Sequence, residues 1–134
     1  MEQNITFESS GLRISGCLNL PAALPNGGKQ AAMVVLHGFG SNKNGGISKV
    51  AAKLFADMGY VTLRFDMRGC GDSEGARGKV ICLEQVQDTQ AAISYLQSLP
   101  QVDPSRIGVM GHSFGAAVAI YTAGVDTRVA ACIS

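Results

Sequence analysis

The feature that most constrains the fold of this chain is the pentapeptide Gly111-His112-Ser113-Phe114-Gly115, which joins two segments of different character. A strand-like run, Arg106 to Met110, leads directly into it, and an alanine-rich helical run, residues 113–123, follows. A G-x-S-x-G in this setting predicts a sharp strand-to-helix turn, because glycines permit strained backbone and close packing at its ends. The fold must therefore pack this strand against this helix with almost no connecting loop.

The other segments alternate between strand and helix. Asn4 to Ser9 and Leu12 to Leu20 carry alternating apolar residues around a Ser-Ser-Gly turn, which predicts a hairpin. Apolar runs predict further strands at 31–36, 60–65 and 129–133. Helical spacing of apolar residues predicts two more helices, at 47–58 and 80–99. The order predicts an α/β fold with a mostly parallel sheet, helices on both faces and an antiparallel edge formed by the hairpin.

Glycine and proline predict where several of these elements end. A polar loop is expected over Pro21 to Lys29, and a turn over Val102 to Ser105. Gly59 is predicted to end the helix at 47–58, and Gly124 is predicted to close the last helix.

Length and composition favour one globular domain over residues 1–134, since the chain has 134 residues of which 46% are apolar. A net charge of +1 gives no electrostatic reason to expect a nucleic acid or a membrane surface as partner. We find no signal peptide and no apolar run long enough to span a bilayer. The four cysteines lie far apart, so no metal or cofactor is predicted and a reduced, cytoplasmic protein is expected. Cys17 and Cys132, in apolar strand-like runs, are predicted to be buried thiols.

The strand-to-helix turn also predicts chemistry at Ser113. The N-terminus of the following helix carries partial positive charge, which stabilises an oxyanion at that position. Ser113 is therefore a candidate nucleophile for acyl transfer. The alternative is a structural turn with an incidental serine, since the motif is short and the chain contains 17 glycines.

Three segments together resemble the α/β-hydrolase family. Leu36 to Gly40 is similar to the family's oxyanion loop after the third strand, Arg64 to Gly75 to its loop after the fourth, and Asp103 to Ser113 to its approach to the nucleophile. They occur in the family's order and spacing, and cinnamoyl and feruloyl esterase-like enzymes and serine aminopeptidase-like hydrolases are the members most similar to them. Ala116 stands where many members have a second glycine.

The resemblance implies a serine hydrolase that acts on small-molecule carboxylic esters through an acyl-enzyme. It makes Ser113 the nucleophile, and the backbone N–H groups of Phe39 and Phe114 the two donors of the oxyanion hole. Losing one such donor costs on the order of 3 kcal/mol of transition-state stabilisation.

The base and acid that the family uses have no counterpart here. They usually follow the eighth and seventh strands, whereas this chain reaches only its sixth predicted strand at Ser134. The resemblance therefore covers an N-terminal portion of the fold, and we expect these residues to be inactive alone. Of the two histidines, His112 is expected to point away from Ser113. His37 either shapes the oxyanion loop or serves as a base, the former being favoured because no carboxylate is evident to orient it.

The carboxylates that follow the fourth strand, Asp66, Asp72 and Glu74, have two interpretations. The family resemblance implies that Asp66 and Arg68 fix their loop by hydrogen bonds. A catalytic role is less favoured, because no partner histidine is available. Asp126 is expected at the opposite end of the sheet and is a poor candidate for the acid.

The last predicted strand, residues 129–133, would leave an open sheet edge and uncovered apolar surface. We therefore expect these 134 residues to self-associate, to bind a complementary fragment, or to be only marginally stable.

Three functions remain open from the sequence. The first is the ester hydrolase described above. The second is a non-catalytic module of the same fold, or half of a split assembly, that binds a partner through the open edge. The third is another acyl-transfer chemistry, as in an aminopeptidase, thioesterase or acyltransferase, because a fold alone does not fix a reaction.

Overall fold

The structure, a computed structural model, describes residues 1–22 and 28–134. Those residues form β-strands at β1 (Glu2–Ser9), β2 (Leu12–Asn19), β3 (Gln30–Leu36), β4 (Val61–Phe65), β5 (Val102–Gly111) and β6 (Val129–Ile133). They form helices at α1 (Gly46–Asp57), α2 (Cys82–Ser98) and α3 (Phe114–Val125). Of the loop predicted over Pro21 to Lys29, residues 23–27 lie outside the described residues.

The strands form one sheet in the order β1-β2-β4-β3-β5-β6. β1 and β2 are an antiparallel hairpin whose turn residues, Ser10 and Gly11, have φ of 49° and 78°, as a two-residue hairpin turn requires. β2 pairs antiparallel with β4, and β4, β3, β5 and β6 run parallel to one another. The predicted α/β class, with its antiparallel edge, is confirmed.

Alternation along β3 divides the helices between the two faces of the sheet. Met33 and Val35 pack with α1, whereas Val34 belongs to the larger core that includes Ile93 of α2 and Val118 of α3. Because a parallel strand is covered on both faces, its residues are nearly all apolar. β3 and β5 are parallel neighbours, so their carboxyl ends meet at the edge of the sheet where the predicted site lies.

The helix α1 turns most of its larger apolar side chains away from the sheet, although Phe55 packs, partly buried, against the cluster that contains Met33 and Val35. Its sheet-facing side is formed by small residues, Ser48, Ala51 and Ala52. Four apolar residues of the helix predicted at 47–58 are exposed by 57 to 68% in the described structure: Ile47, Val50, Leu54 and Met58. The spacing predicted the helix, but most of its large apolar residues lie outside the buried side, Phe55 excepted.

The edge strand β6 contradicts one burial prediction. Cys132 is exposed, not buried, because β6 pairs with β5 on one side only in the described structure. Ile133 beside it is 45% exposed. Cys17, on the paired strand β2, is buried as predicted.

Two element ends also differ from the sequence predictions. Gly124 does not close α3, which continues to Val125 and is followed by a hydrogen bond of 2.9 Å from the Asp126 N–H to the Thr122 carbonyl. The turn predicted at Val102 to Ser105 lies inside β5 as an irregularity of register, where Asp103 accepts the Ser105 N–H at 3.0 Å. Gly59, with φ of 94°, ends α1 as predicted.

Candidate functional site

The turn between β5 and α3 holds Ser113 in a backbone conformation that L-residues rarely adopt. Its φ is 54° and its ψ is −125°. A Cβ added to Gly111 would lie 2.1 Å from the Gly115 carbonyl oxygen, and one added to Gly115 would lie 2.5 Å from that of His37. Both outer positions of the motif therefore require glycine on steric grounds, and the strained backbone of the serine between them is typical of a functional turn.

The loop after β3 lies directly beside this turn. The two strands pair with Leu36 opposite Gly111, so the residues that follow them meet at the same edge. A Cβ added to Gly38 would lie 3.4 Å from the Cβ of Ser113 and 3.3 Å from Nε2 of His112. The structure thus brings the predicted nucleophile and the predicted oxyanion loop into contact.

The two residues predicted as oxyanion donors are neighbours in space. The rings of Phe39 and Phe114 meet edge to face, with centroids 6.1 Å apart and planes at 83°. Phe39 is 70% exposed. All three sequence-predicted site residues, Ser113, Phe39 and Phe114, therefore lie around one point at the carboxyl ends of β3 and β5.

Both ring nitrogens of the buried His37 imidazole form hydrogen bonds with backbone groups. The Met67 N–H donates to Nε2 at 3.1 Å, so the hydrogen of the neutral ring is on Nδ1, which donates to the Gly38 carbonyl at 2.8 Å. Burial lowers the pKa of His37 below its ordinary value, against the effect of the hydrogen bond to Gly38. His37 therefore has no free nitrogen with which to deprotonate Ser113, and it shapes the loop instead.

The second histidine, His112, is also not placed as a base. Its Nδ1 is buried and has no hydrogen-bond partner among the described residues. Its Nε2 faces Gly38 on the neighbouring loop. Within residues 1–22 and 28–134, no hydrogen bond joins either imidazole to Ser113.

The carboxylate of Asp66 ties together the loops that follow β3 and β4. Its two oxygens accept the Lys43 N–H at 2.5 Å, the Lys43 ammonium at 2.7 Å and the Asp72 N–H at 2.8 Å. The backbone carbonyl of Asp66 accepts a hydrogen bond from the Ser73 hydroxyl at 2.6 Å. A Cβ on Gly71 would lie 2.2 Å from this carboxylate. The arrangement supports the structural interpretation of Asp66 over the catalytic one.

A second buried ion pair fixes the same loop from the opposite side. The guanidinium of Arg68 donates to Asp88 of α2 at 2.7 and 3.0 Å, and the Arg68 N–H donates to the same carboxylate at 2.9 Å. Asp88 is fully buried. The sequence reasoning identified Arg68 but missed Asp88 and Lys43. A possible signal for Asp88 was a carboxylate between the apolar Val86 and Ala91 in a helix packed on the sheet.

The remaining acidic candidates lie away from Ser113. Glu74 accepts the Arg13 N–H at 2.8 Å on the outer hairpin. Asp126 pairs with Arg128 at 2.6 Å, just before β6 and therefore at the opposite end of the sheet. Neither is placed to act as the acid of a catalytic triad.

In the part of the chain that the structure describes, no set of three or more His, Cys, Asp or Glu side chains is placed to hold a metal ion. Among the described helices, none is long and apolar enough to cross a membrane.

Comparison with known proteins identifies the family. Residues 27–133 match the family model described as serine aminopeptidase, S33. The chain belongs to this family of α/β hydrolases, as the motifs predicted.

Individual relatives agree with this assignment. The chain is 35% identical over 135 residues to the quorum-quenching protein AidA of Acinetobacter baumannii, and 34% identical over 134 residues to a thiohydrolase of Eupenicillium brefeldianum; both matches cover 98% of this chain. The crystal structure of the α/β hydrolase GrgF from Penicillium sp. sh18 superposes with a TM-score of 0.90 at 28% identity, over 98% of this chain and 44% of that one. The chain spans 42% of the length of each of the two curated relatives.

Proposed function

We propose that this chain carries the nucleophile and oxyanion hole of a serine hydrolase that cleaves carboxylic esters. The observation that carries the proposal is Ser113, held at φ 54° on the turn into α3 and in contact with the loop after β3. Its hydroxyl would attack the ester carbonyl and release the alcohol, and water would then release the acid from the acyl-enzyme. Family membership and the two glycine-restricted positions support the same assignment.

The negative charge that develops on the carbonyl oxygen would be stabilised by the N–H groups of Phe39 and Phe114. Phe114 is the first residue of α3, where a backbone N–H has no intrahelical partner. The N–H of Phe39 and the carbonyl of Gly38 belong to the same peptide group, and that carbonyl accepts a hydrogen bond from Nδ1 of His37. Since N–H and C=O of a trans peptide point in opposite directions, this bond fixes the direction of the Phe39 N–H.

The base and the acid are not among the residues that the structure describes. His37 is fully engaged with backbone groups, and no carboxylate hydrogen-bonds to His112 in the described ranges. A serine hydroxyl without an adjacent base is a weak nucleophile. We therefore expect these 134 residues alone to hydrolyse esters no faster than a Ser113→Ala variant.

Fluorophosphonate labelling tests the nucleophile. A longer form of the protein that contains these residues should be labelled at Ser113, and Ser113→Ala should abolish the labelling. Ser98→Ala, an exposed position on α2, is the control and should label normally. Failure of the longer form to label would refute the enzyme proposal and favour a non-catalytic module.

Turnover of p-nitrophenyl acetate by the 134-residue chain, lost in Ser113→Ala, would refute its predicted inactivity.

Thioester hydrolysis is a second candidate, because one relative is named a thiohydrolase. The same nucleophile and oxyanion hole would serve both reactions, which differ in the leaving group. Comparing kcat/KM for p-nitrophenyl acetate and for acetylthiocholine in the longer form, without the fluorophosphonate, separates them. A preference for the thioester would replace the ester proposal.

We further propose that the open edge of β6 is an association surface. Residues 130–133 are exposed, and β6 presents unpaired backbone groups along its outer side in the described structure. A second copy or a complementary fragment could extend the sheet there. Light scattering of the 134-residue chain should show species larger than a monomer, and Ile133→Lys should reduce them. A monodisperse monomer that unfolds cooperatively would contradict the proposal.

The cysteines support a reducing, cytoplasmic setting. Cys17, Cys70, Cys82 and Cys132 are all free thiols. Disulfides are typical of proteins in oxidising compartments. Protein isolated without reductant should therefore show the mass of a fully reduced chain; an internal disulfide in that sample would argue against the assignment.

A further inference from the structure

The loop from His37 to Gly45 carries the Phe39 N–H, and it has an anchor at each end. Its first anchor is the His37 ring described above. Between Phe39 and Gly45 the only buried residue is Lys43, which is 5% exposed although lysine side chains are rarely buried without a partner. We propose that Lys43 is a positioning residue that holds this loop, and with it the Phe39 N–H, against the rest of the site. The inference rests on the proposed function.

Lys43 is bound through its backbone and its side chain. Its N–H and its ammonium both donate to Asp66, at 2.5 and 2.7 Å, and the ammonium also donates to Asp72 at 2.7 Å. Its carbonyl accepts Nε of Arg64 at 2.8 Å. These four bonds connect the loop after β3 to β4 and to the loop that follows β4. No other residue between Phe39 and Gly45 makes such side-chain contacts in the described structure.

The charges of this cluster favour a fixed geometry. Asp66 is fully buried, whereas the Asp72 side chain is 77% exposed. Burial alone would lower the pKa of the Lys43 ammonium, but the hydrogen bonds and charges of Asp66 and Asp72 outweigh burial and raise it. Lys43 is therefore charged at neutral pH. A buried carboxylate that loses its cation is left uncompensated, so the loop cannot leave this position without a large penalty.

The two anchors bracket the segment that would contact the oxyanion. The Gly38 carbonyl accepts a hydrogen bond from the His37 ring and another, of 3.2 Å, from the Ser41 N–H. The second bond closes a turn, after which the chain reaches Lys43. Phe39 and Gly40 between them are exposed, and the side-chain contact given for Phe39 in the described structure is the edge-to-face packing of its ring on Phe114, with no hydrogen bond. A donor in such a segment is only as well placed as its anchors, and the value of an oxyanion donor depends on pre-organisation.

A purely structural ion pair would stabilise the fold without affecting the position of Phe39 and Gly40. The experiment must therefore separate a structural role of Lys43 from a positioning role. Lys43→Met removes the charge and keeps the length of the side chain, and Lys43→Arg restores the charge. Lys53→Met is the matched control, since Lys53 pairs with Asp57 on the exposed surface of α1. Asp72→Ala removes only the exposed partner and keeps the buried pair.

Two measurements on these variants are informative. The first is amide hydrogen exchange of residues 38–42 in the 134-residue chain, which needs no activity. Lys43→Met should lower protection there by about tenfold, with secondary structure retained and the helices unaffected. The second is fluorophosphonate labelling in the longer form, where the maximal rate should fall about tenfold with unchanged apparent affinity. Lys43→Arg should recover a large part of both losses, and Lys53→Met should behave as wild type.

Each outcome decides something. A folded Lys43→Met variant with wild-type protection and labelling rate would overturn the inference. If Lys43→Met does not fold, Asp72→Ala decides. A loss of protection in residues 38–42 smaller than tenfold supports the inference, and the absence of any loss overturns it. If wild-type protein is never labelled, the proposed function fails, while the exchange measurement still tests whether Lys43 holds the loop.

Discussion

The two proposed oxyanion donors are held in place by different physical means. Phe114 sits at the start of α3, in a turn where Gly111 and Gly115 leave no room for a side chain. Phe39 sits in a loop whose position depends on the hydrogen bonds of the neutral His37 ring and on the hydrogen bonds and charge of Lys43. One donor is fixed by steric exclusion, and the other is fixed by a polar network.

This difference has consequences for how each half of the site responds to change. Close packing of backbone on backbone does not depend on pH or salt, but it tolerates no added atom. A network of buried polar groups tolerates some change of shape but depends on the protonation state of its members. Substitutions at the turn should therefore be more damaging than those in the loop, and pH should act on the loop alone.

The largest effect is expected for Gly115→Ala. The new Cβ would lie 2.5 Å from the His37 carbonyl oxygen and 2.8 Å from that of Leu36, both backbone atoms that cannot move without displacing β3. We expect a loss of more than about 4 kcal/mol of unfolding free energy, or failure to fold. Urea denaturation followed by circular dichroism measures this.

Gly124→Ala is the matched control for that substitution. Gly124 also lies in α3, but a Cβ there would meet nothing within 4 Å. Alanine is a better helix former than glycine, so this variant should be more stable than wild type by about 0.5 to 1 kcal/mol. Equal stability of the two variants would mean that the turn is not sterically fixed.

A smaller effect is expected for His37→Phe, which keeps a ring of similar size but removes both hydrogen bonds. The buried Met67 N–H would lose its acceptor, and the Gly38 carbonyl would keep only the Ser41 N–H. We expect a loss of about 2 kcal/mol at pH 7.5. Urea denaturation of the two proteins under identical conditions gives the difference.

The same pair of proteins tests the pH dependence. Burial lowers the pKa of His37 below 6.5, so the unfolded chain takes up a proton on this residue at a higher pH than the folded chain does. Stability from this group is therefore full above pH 6.5 and falls as pH decreases towards the folded pKa, by up to about 1.4 kcal/mol at pH 5.5. The difference between wild type and His37→Phe should shrink accordingly. A constant difference from pH 7.5 to 5.5 would contradict the neutral, backbone-bound imidazole.

The sequence predicted the sterically fixed half of the site better than the polar half. Gly111, Ser113 and Gly115 are contiguous, and their required spacing is visible in one segment. Lys43 and Asp66 are far apart in sequence, and nothing local distinguishes Lys43 from the exposed Lys49 or Lys53. Such pairs become apparent only when the register of β3 and β4 is known.

Burial was the least predictable property for a similar reason. The spacing of apolar residues in α1 predicted a helix, but the residues of α1 that are buried against the sheet are alanine and serine, with Phe55 partly buried beside them. Cys132 was expected to be buried because its strand is apolar, yet burial of a strand depends on neighbours that its own residues do not specify. Local pattern predicts an element; tertiary packing decides which side of it is covered.

A comparably small effect is expected from the cost of placing a serine at the turn. Among the described residues only Ser10 and Ser113 are non-glycine residues with positive φ, and Ser10 lies in a hairpin turn that favours this conformation. Ser113→Gly should relieve the strain and raise the unfolding free energy by about 1 kcal/mol, whereas Ser113→Ala, which keeps a Cβ, should not. Thermal and urea unfolding of the three proteins measure this. If neither variant is more stable than wild type, the turn stores no strain at the serine. If glycine alone stabilises, the serine is retained at a cost to stability, and that is expected only where its hydroxyl has a function.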